Sequence, residues 1–359
     1  MIKAKYLILL LLITVVPTTF AQRTTRVNAV KANNYGVTYS LPKTSFEVIF
    51  LVKKTTYRKG DFYPYAQRYL GIENPVTQDN VLYSLEDVSI INKGVADKEN
   101  SFMVEFRTRS VEPFVSLRED GVIVAINADP ELQVLQKMDV PQGKSSSVNP
   151  RSYLSQEALM AGSTARQAEL VARQIFGLRS NRSDILSGEA DNMPPDGNAY
   201  KMVMEEINLQ EKALTGLFAG SEETEYFTRT YTIVPDQGNI ERKVIARFSE
   251  KLGVVDADNL AGEPVYFSLV NKTQQVENQL SDRDLQRLEN KFKEGIVYNI
   301  PGKANLTVEF KNKELQNHEV DVVQYGTRDV LVRKTLDNTK QPVKVYFYPE
   351  LGAIKQIIQ

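Results

Sequence analysis

The residues able to do chemistry are few and scattered. His318 is the one histidine, set in the polar stretch Gln316-Asn-His-Glu-Val320. Zinc chemistry of the H-E-x-x-H kind needs a second imidazole and is excluded. A Ser-His-Asp triad would have to use His318, and no G-x-S-x-G elbow presents a serine to it. A surface histidine is the better reading. The absence of cysteine removes thiol nucleophiles and thiolate metal sites. Ser40-Leu-Pro-Lys43 matches S-x-x-K, but that motif sets its lysine one helical turn beyond the serine. Here Pro42 and the β-rich run after it argue for extended chain. Gly143-Lys144-Ser145 ends like a phosphate loop, yet the position five before Gly143 is Met138, where the loop needs glycine.

Carboxylates are harder to judge, because two acids brought together from distant positions leave no mark in one sequence. Glu205 and Glu206 are neighbours on a helix and so point in different directions, as on a solvated face. The loop Gly188–Gly197 carries Asp191 and Asp196, and clustered oxygen ligands suit calcium. These two are the candidate metal ligands, although the spacing is not that of an EF-hand and Asp196 reads more simply as a helix N-cap. The densest aromatic cluster holds Tyr57, Phe62, Tyr63, Tyr65 and Tyr69. Tyr57, Tyr63, Tyr65 and Tyr69 are the candidate binding residues, able to stack on a sugar or a peptide. The plainer reading is a core edge whose hydroxyls reach water. No catalytic residue and no cofactor is assigned.

The elements that must position these residues fall into three textures. Strand-like runs occupy Lys43–Tyr57, Val81–Ile91, Phe102–Arg109 and Val122–Asn127, rich in β-branched and aromatic residues. Glu119-Asp120-Gly121 is a hairpin turn. A short helix over Phe62–Leu70 closes at Gly71. Pro141–Pro150 is polar, with little to bury, and reads as a linker or loop. Helical periodicity follows. Thr164–Gln167 matches a capping box ahead of Ala168, Ala172, Ile175 and Phe176. Ser183 opens a separate turn ending near Gly188. Asp196 precedes a helix over Asn198–Phe218, striped by Tyr200, Val203, Ile207, Leu214, Leu217 and Phe218, with Gly220 past its end. These two helices are expected to form an antiparallel pair lying on a sheet. Strands return at Glu225–Val234, Ile240–Phe248, Pro264–Val270, Gly295–Ile300, Asn305–Phe310, Asp321–Gln324 and Lys344–Tyr348, interrupted by a helix that Ser281 and Asp284 cap. A faint echo links Pro113–Ile126 with Lys344–Ile357, each strand, glycine turn, strand; two ordinary hairpins explain it well enough.

The first residues carry an export signal. Lys3 and Lys5 precede an apolar run, Tyr6–Val16, which Pro17 ends, and small residues follow at the cleavage positions, with Ala21 before Gln22. The run is too short for a spanning helix, which needs about 20 apolar residues. Loss of Lys3 and Lys5 takes the formal charge from −1 to −3. Near neutrality gives no field for nucleic acid or anionic lipid. A chain of 359 residues without disulfides is long enough to rely on its core. The lack of tryptophan lowers, without removing, a carbohydrate-binding reading.

Three stretches carry a resemblance: Ala165-Arg-Gln-Ala-Glu-Leu-Val-Ala-Arg-Gln-Ile-Phe176, Gly188-Glu-Ala-Asp-Asn-Met-Pro-Pro-Asp-Gly197 and Gln210-Glu-Lys-Ala-Leu-Thr-Gly-Leu-Phe-Ala-Gly220, with Gly262-Glu-Pro-Val-Tyr266. Over nearly the whole mature chain the sequence resembles a family of secreted proteins of Bacteroides-like bacteria, known as domain of unknown function 4831. The resemblance implies an envelope location in a Gram-negative cell and carries over no activity or catalytic residue.

The expected fold is α+β, with two β-rich domains, sandwich-like or open-barrel, flanking a helical segment. The expected boundaries are a signal peptide at 1–21, an N-terminal β-rich domain at 22–140, a linker or loop at 141–152, a helical segment at 153–222, and a C-terminal β-rich domain with one helix at 223–359. The expected function is that of an exported envelope protein, periplasmic, outer-membrane associated or secreted, that binds or supports rather than catalyses. Its partner is expected to be another envelope protein or a glycan, not nucleic acid, and no transmembrane segment is expected in the mature chain. The alternatives are a carboxylate hydrolase acting on glycan or peptide, and a glycan-binding module.

Overall fold

The computed structural model describes residues 22–26, 36–106, 115–130, 138–144, 148–273, 282–293, 295–332 and 343–358. The expected signal peptide, 1–21 with Ala21, lies outside the described residues, and Gln22 opens the first described strand. Alternation of inward Phe46, Val48, Phe50 and Val52 with outward Glu47, Ile49 and Lys53 makes one long strand, β2 (Gly36–Arg58). It pairs along its length with β3 (Asn80–Phe106), which joins into one strand two runs that the sequence reads as separate. Residues 98–100 loop out where Ser40 pairs Ser101 and Leu41 pairs Asp97, so pairing survives a composition that reads as a break. With β1 (Gln22–Arg26) and β6 (Ser221–Ile233) these strands form an antiparallel sheet ordered β1-β3-β2-β6.

A second sheet contains β7 (Ile240–Ser249), β8 (Gly253–Asp256), β9 (Glu263–Asn271), β10 (Gly295–Phe310) and β11 (Lys313–Val332), ordered β11-β10-β9-β7-β8. A third holds two hairpins, β4 (Val115–Leu117) with β5 (Ile123–Ile126) and β12 (Lys344–Tyr348) with β13 (Ala353–Ile358), ordered β13-β12-β5-β4. The two hairpins that echo one another in sequence thus sit side by side, Val345 opposite Ile126. Each turns on a left-handed glycine, Gly121 at φ 85° and Gly352 at φ 64°.

Three cores follow. In the first, Phe46, Val48, Phe50 and Val52 meet Phe267, Leu269, Leu306 and Val308 between the first two sheets, with Phe46 and Phe267 rings 6.1 Å apart. The second joins the other end of the same long strands, Tyr39, Leu41, Phe102 and Val104, to Ile123 and Val345 of the third sheet and to Ile296 and Leu331. The hairpins β2–β3 and β10–β11 therefore run through both cores. The fold is α+β and β-rich, in the expected order of strands, helices, strands. The strand-rich stretches 22–140 and 223–359 are interleaved in space, however: β6 extends the first sheet, and the last hairpin extends the third.

The third core is helical. A 3-10 turn at Tyr63–Tyr65 leads into α1 (Ala66–Leu70), which ends on left-handed Gly71 as expected. After α2 (Gln156–Leu159) come the long α3 (Thr164–Ser187) and α4 (Gly197–Ala219). The cap of α3 is Ser163, whose side chain accepts from Arg166 N, one residue before the expected Thr164. Ser183 starts no new helix, because α3 runs unbroken to a left-handed C-cap at Gly188. Ala168, Val171, Ala172, Ile175, Leu214, Leu217 and Phe218 pack against Phe62, Ala66 and Ala158. The helices thus bury themselves on the β2–β3 connection instead of on a sheet. Beyond its base the pair buries Ile185 and little else. Phe176 is 50% exposed and Val203 38% exposed, although both belong to the apolar stripes of the sequence. The helix α5 (Asp282–Phe292) sends Phe292 edge-on to Phe102 at 6.3 Å.

Candidate functional site

An open cleft lies where the helical layer meets the first sheet. Three pieces of chain converge there. Strand β2 ends at Arg58-Lys59-Gly60-Asp61 and runs against the last turn of α4: Phe62 N donates to Leu217 O at 2.7 Å, and a Cβ on Gly60 would lie 2.2 Å from Leu217 O. Glycine is needed at this close approach. Lys144, in the stretch read as a linker or loop, is held: its N donates to Thr224 Oγ1 at 3.0 Å, and Thr224 N donates to its O at 2.9 Å. Pro150–Tyr153 forms a 3-10 turn capped by Asn149, and Arg151 bonds Asp61 at 2.9 Å. The third piece is the pair α3–α4, fixed by Glu211. Arg179 Nε donates to one of its carboxylate oxygens at 2.7 Å and Arg182 Nη1 to the other at 2.5 Å, while Arg182 also reaches Asn208 Oδ1 at 3.1 Å. Pairing of 179 with 211 and of 182 with 208 shows the helices to be antiparallel, as expected.

The result is an open cleft of about 950 Å³. Seven basic and four acidic residues line it. Glu211 is shared between two guanidiniums and Asp61 is taken by Arg151. Among the described residues, Arg58, Lys59, Lys144 and Lys212 have no carboxylate within ion-pair distance, and Glu222 and Glu223 are the remaining acids of the wall. Thr215 Oγ1 is buried in the wall without a protein partner. Cations gathered in a concave surface reinforce one another's field.

Other sequence candidates are placed as follows. Tyr65 and Tyr69 come together, rings 6.0 Å apart, and lean on the helical core, with the Arg68 guanidinium 5.5 Å from the Tyr69 ring. Tyr57, Tyr63, Tyr65 and Tyr69 are all half-buried, and none lines the basic cleft. Asp196 caps α4, its Oδ1 accepting from Asn198 N and Ala199 N at 2.8 Å each. Asp191 is exposed, and no group of three metal-binding side chains occurs among the described residues. His318 sits on β11 opposite Leu306, exposed at the surface. Ser40 and Lys43 lie in extended β2, so no helical S-x-x-K geometry arises. A larger cleft of about 1420 Å³ lies across Ile49, Ile91 and Val320, and its wall runs into Met138, next to residues 131–137 outside the described set. Sequence reasoning missed the basic cleft, whose cations come from four separated segments. Gly143-Lys144 drew notice only as a failed phosphate loop.

Three carboxylates outside the cleft are held ionised by a bonded cation. The Arg118 guanidinium, bonded to Asp120, keeps that carboxyl below its usual range; Lys291 does the same for Asp329 and Arg166 for Glu169. Tyr231 is pushed up to about 12 by burial and by its bond to Asp256.

Fold and site together define an antiparallel, β-rich α+β protein whose helical hairpin closes one side of a basic cleft. The chain belongs to the family described as domain of unknown function DUF4831, whose model matches residues 35–355. No curated protein and no solved structure matches it. No helix among the described residues is long and apolar enough to cross a membrane.

Proposed function

We propose that this protein is exported to the cell envelope and acts there as a non-catalytic binding protein, with the cleft between the helical hairpin and β6 as its ligand site. The observation that carries this reading is the pairing inside that cleft: Asp61 and Glu211 are engaged by arginines and serve to orient cations. The leader at 1–21 supports export. A protein held in the envelope by its contacts needs a recognition surface more than a reaction centre, and a preformed polar cleft supplies one.

The test is crosslinking in native cells, followed by capture of the tagged mature chain and mass spectrometry. A reproducible envelope component that Arg58→Glu weakens is the expected result. The reading is overturned by turnover of a glycan or peptide that Glu222→Gln or Glu223→Gln abolishes. N-terminal sequencing of the captured protein is expected to begin at Gln22, and recovery of residues 1–21 in it would count against export with cleavage.

A further inference from the structure

We infer that the cleft takes a phosphate-bearing ligand, an inference that rests on the binding reading above and names its chemistry. The charge balance is the first ground. The whole chain carries 44 basic and 45 acidic residues, yet seven basic and four acidic residues line this one concavity. Three of the seven, Arg151, Arg179 and Arg182, already share Asp61 and Glu211. That leaves Arg58, Lys59, Lys144 and Lys212 against Glu222 and Glu223 among the described residues. Like charges drawn together cost free energy unless a counter-charge joins them.

The direction of approach is the second ground. These four cations come from three elements: the end of β2, the stretch after Pro141, and α4. A carboxylate offers two oxygens in one plane, which suits a single guanidinium fork, and of the four guanidiniums here only Arg58 is not taken by Glu211 or Asp61. A phosphate group offers three oxygens in three directions and up to two charges, which suits ammonium groups arriving from several sides. Gly60 and Gly143 fix the backbone of two of these elements: a Cβ on Gly143 would lie 2.0 Å from Thr224 O. The donors therefore stand on held chain.

Titration calorimetry of the mature protein with inorganic pyrophosphate at low salt is the direct test. Saturable binding is expected, at least tenfold weaker in Arg58→Glu/Lys212→Glu and steeply weaker with added salt. Both residues are exposed, and unchanged thermal melting of the double variant establishes that it folds. Vesicles of phosphatidylcholine with phosphatidic acid separate the two sources. Sedimentation with them, lost in the double variant, assigns a lipid-borne phosphate; pyrophosphate binding without sedimentation assigns a free one. Absence of binding to both probes, or binding untouched by the double variant, overturns the phosphate assignment. If a captured envelope component is still lost in the double variant in that case, the binding reading stands while this inference falls; if capture also fails, both fall.

Discussion

At the scale of single residues, Glu211 shows how one side chain can set the geometry of a site. Its carboxylate, 13% exposed, receives Arg179 and Arg182, so it joins α3 to α4 and holds two cations in the cleft wall. Glu211→Ala is expected to cost about 1–2 kcal/mol in chemical denaturation, between the value of an exposed pair and that of a charged, buried hydrogen bond. Asn299 has a comparable place in the second core. Its Nδ2 donates to Pro42 O at 3.0 Å and Leu351 O at 2.8 Å, tying β10 to β2 and to the last hairpin. Asn299→Leu leaves two buried carbonyls unpaired and is expected to cost about 2–4 kcal/mol, measured by the same method. Asp196 shows what was legible at this scale. Its capping role was readable, because a cap is a local event among residues three apart, whereas the partners of Glu211 and Asn299 lie 29 or more positions away.

Among the elements, the two long hairpins carry the architecture, and glycines let them do it. The register of β10 against β11 steps between Ile300 and Gly302, where the hairpin passes from one core to the other. A Cβ on Gly326 would lie 1.9 Å from Ile300 O, and one on Gly302 would lie 2.5 Å from Tyr325 O. Gly326→Val is therefore expected to force the strands apart at that step and to lower the melting temperature by several degrees at least. A melting temperature within a degree of the parent would show that the step tolerates a side chain. The element scale also explains where sequence reading faltered. Val81–Ile91 and Phe102–Arg109 looked like separate strands because polar residues interrupt them, and pairing with β2 on both sides of residues 98–100 makes one strand that runs to Phe106, with 107–109 outside the described residues. Phe176 and Val203 carry the helical period, yet what covers a face is decided by its neighbours, and the far half of the helical pair has few.

For the whole molecule, interleaving is the property that matters. The third sheet is built from residues 115–126 and 344–358, and the first takes in residues 221–233. Residues 22–140 expressed alone are expected to be insoluble or unfolded by circular dichroism, and co-expression with 141–359 to restore folded protein. A cooperatively melting 22–140 fragment would refute the shared cores. Dependence on pH follows from the shifted groups. Asp120 and Asp329 have folded values below their unfolded ones, so the stability they lend is present above the ordinary carboxylate value, about 4, and is lost as pH falls beneath it. Tyr39, buried and raised, and Tyr231, raised to about 12, lend stability that is present below about pH 10 and lost as pH climbs beyond it. Denaturation midpoints across pH are expected to form a plateau between these limits, with the acid limb flattened in Asp120→Asn/Asp329→Asn.

The sequence by itself determined the α+β class, the turn glycines, the cap at Asp196, the antiparallel helical pair and the membership of its family, since each is written in local periodicity or in a run of neighbouring residues. Tertiary structure alone decided which strands share a sheet, that Lys144 is held against β6, and that Arg58, Lys144, Arg179 and Lys212 line one cleft. Strand pairing and charge clustering are relations between distant parts of the chain, and they have no period to read until the long hairpins bring those parts together.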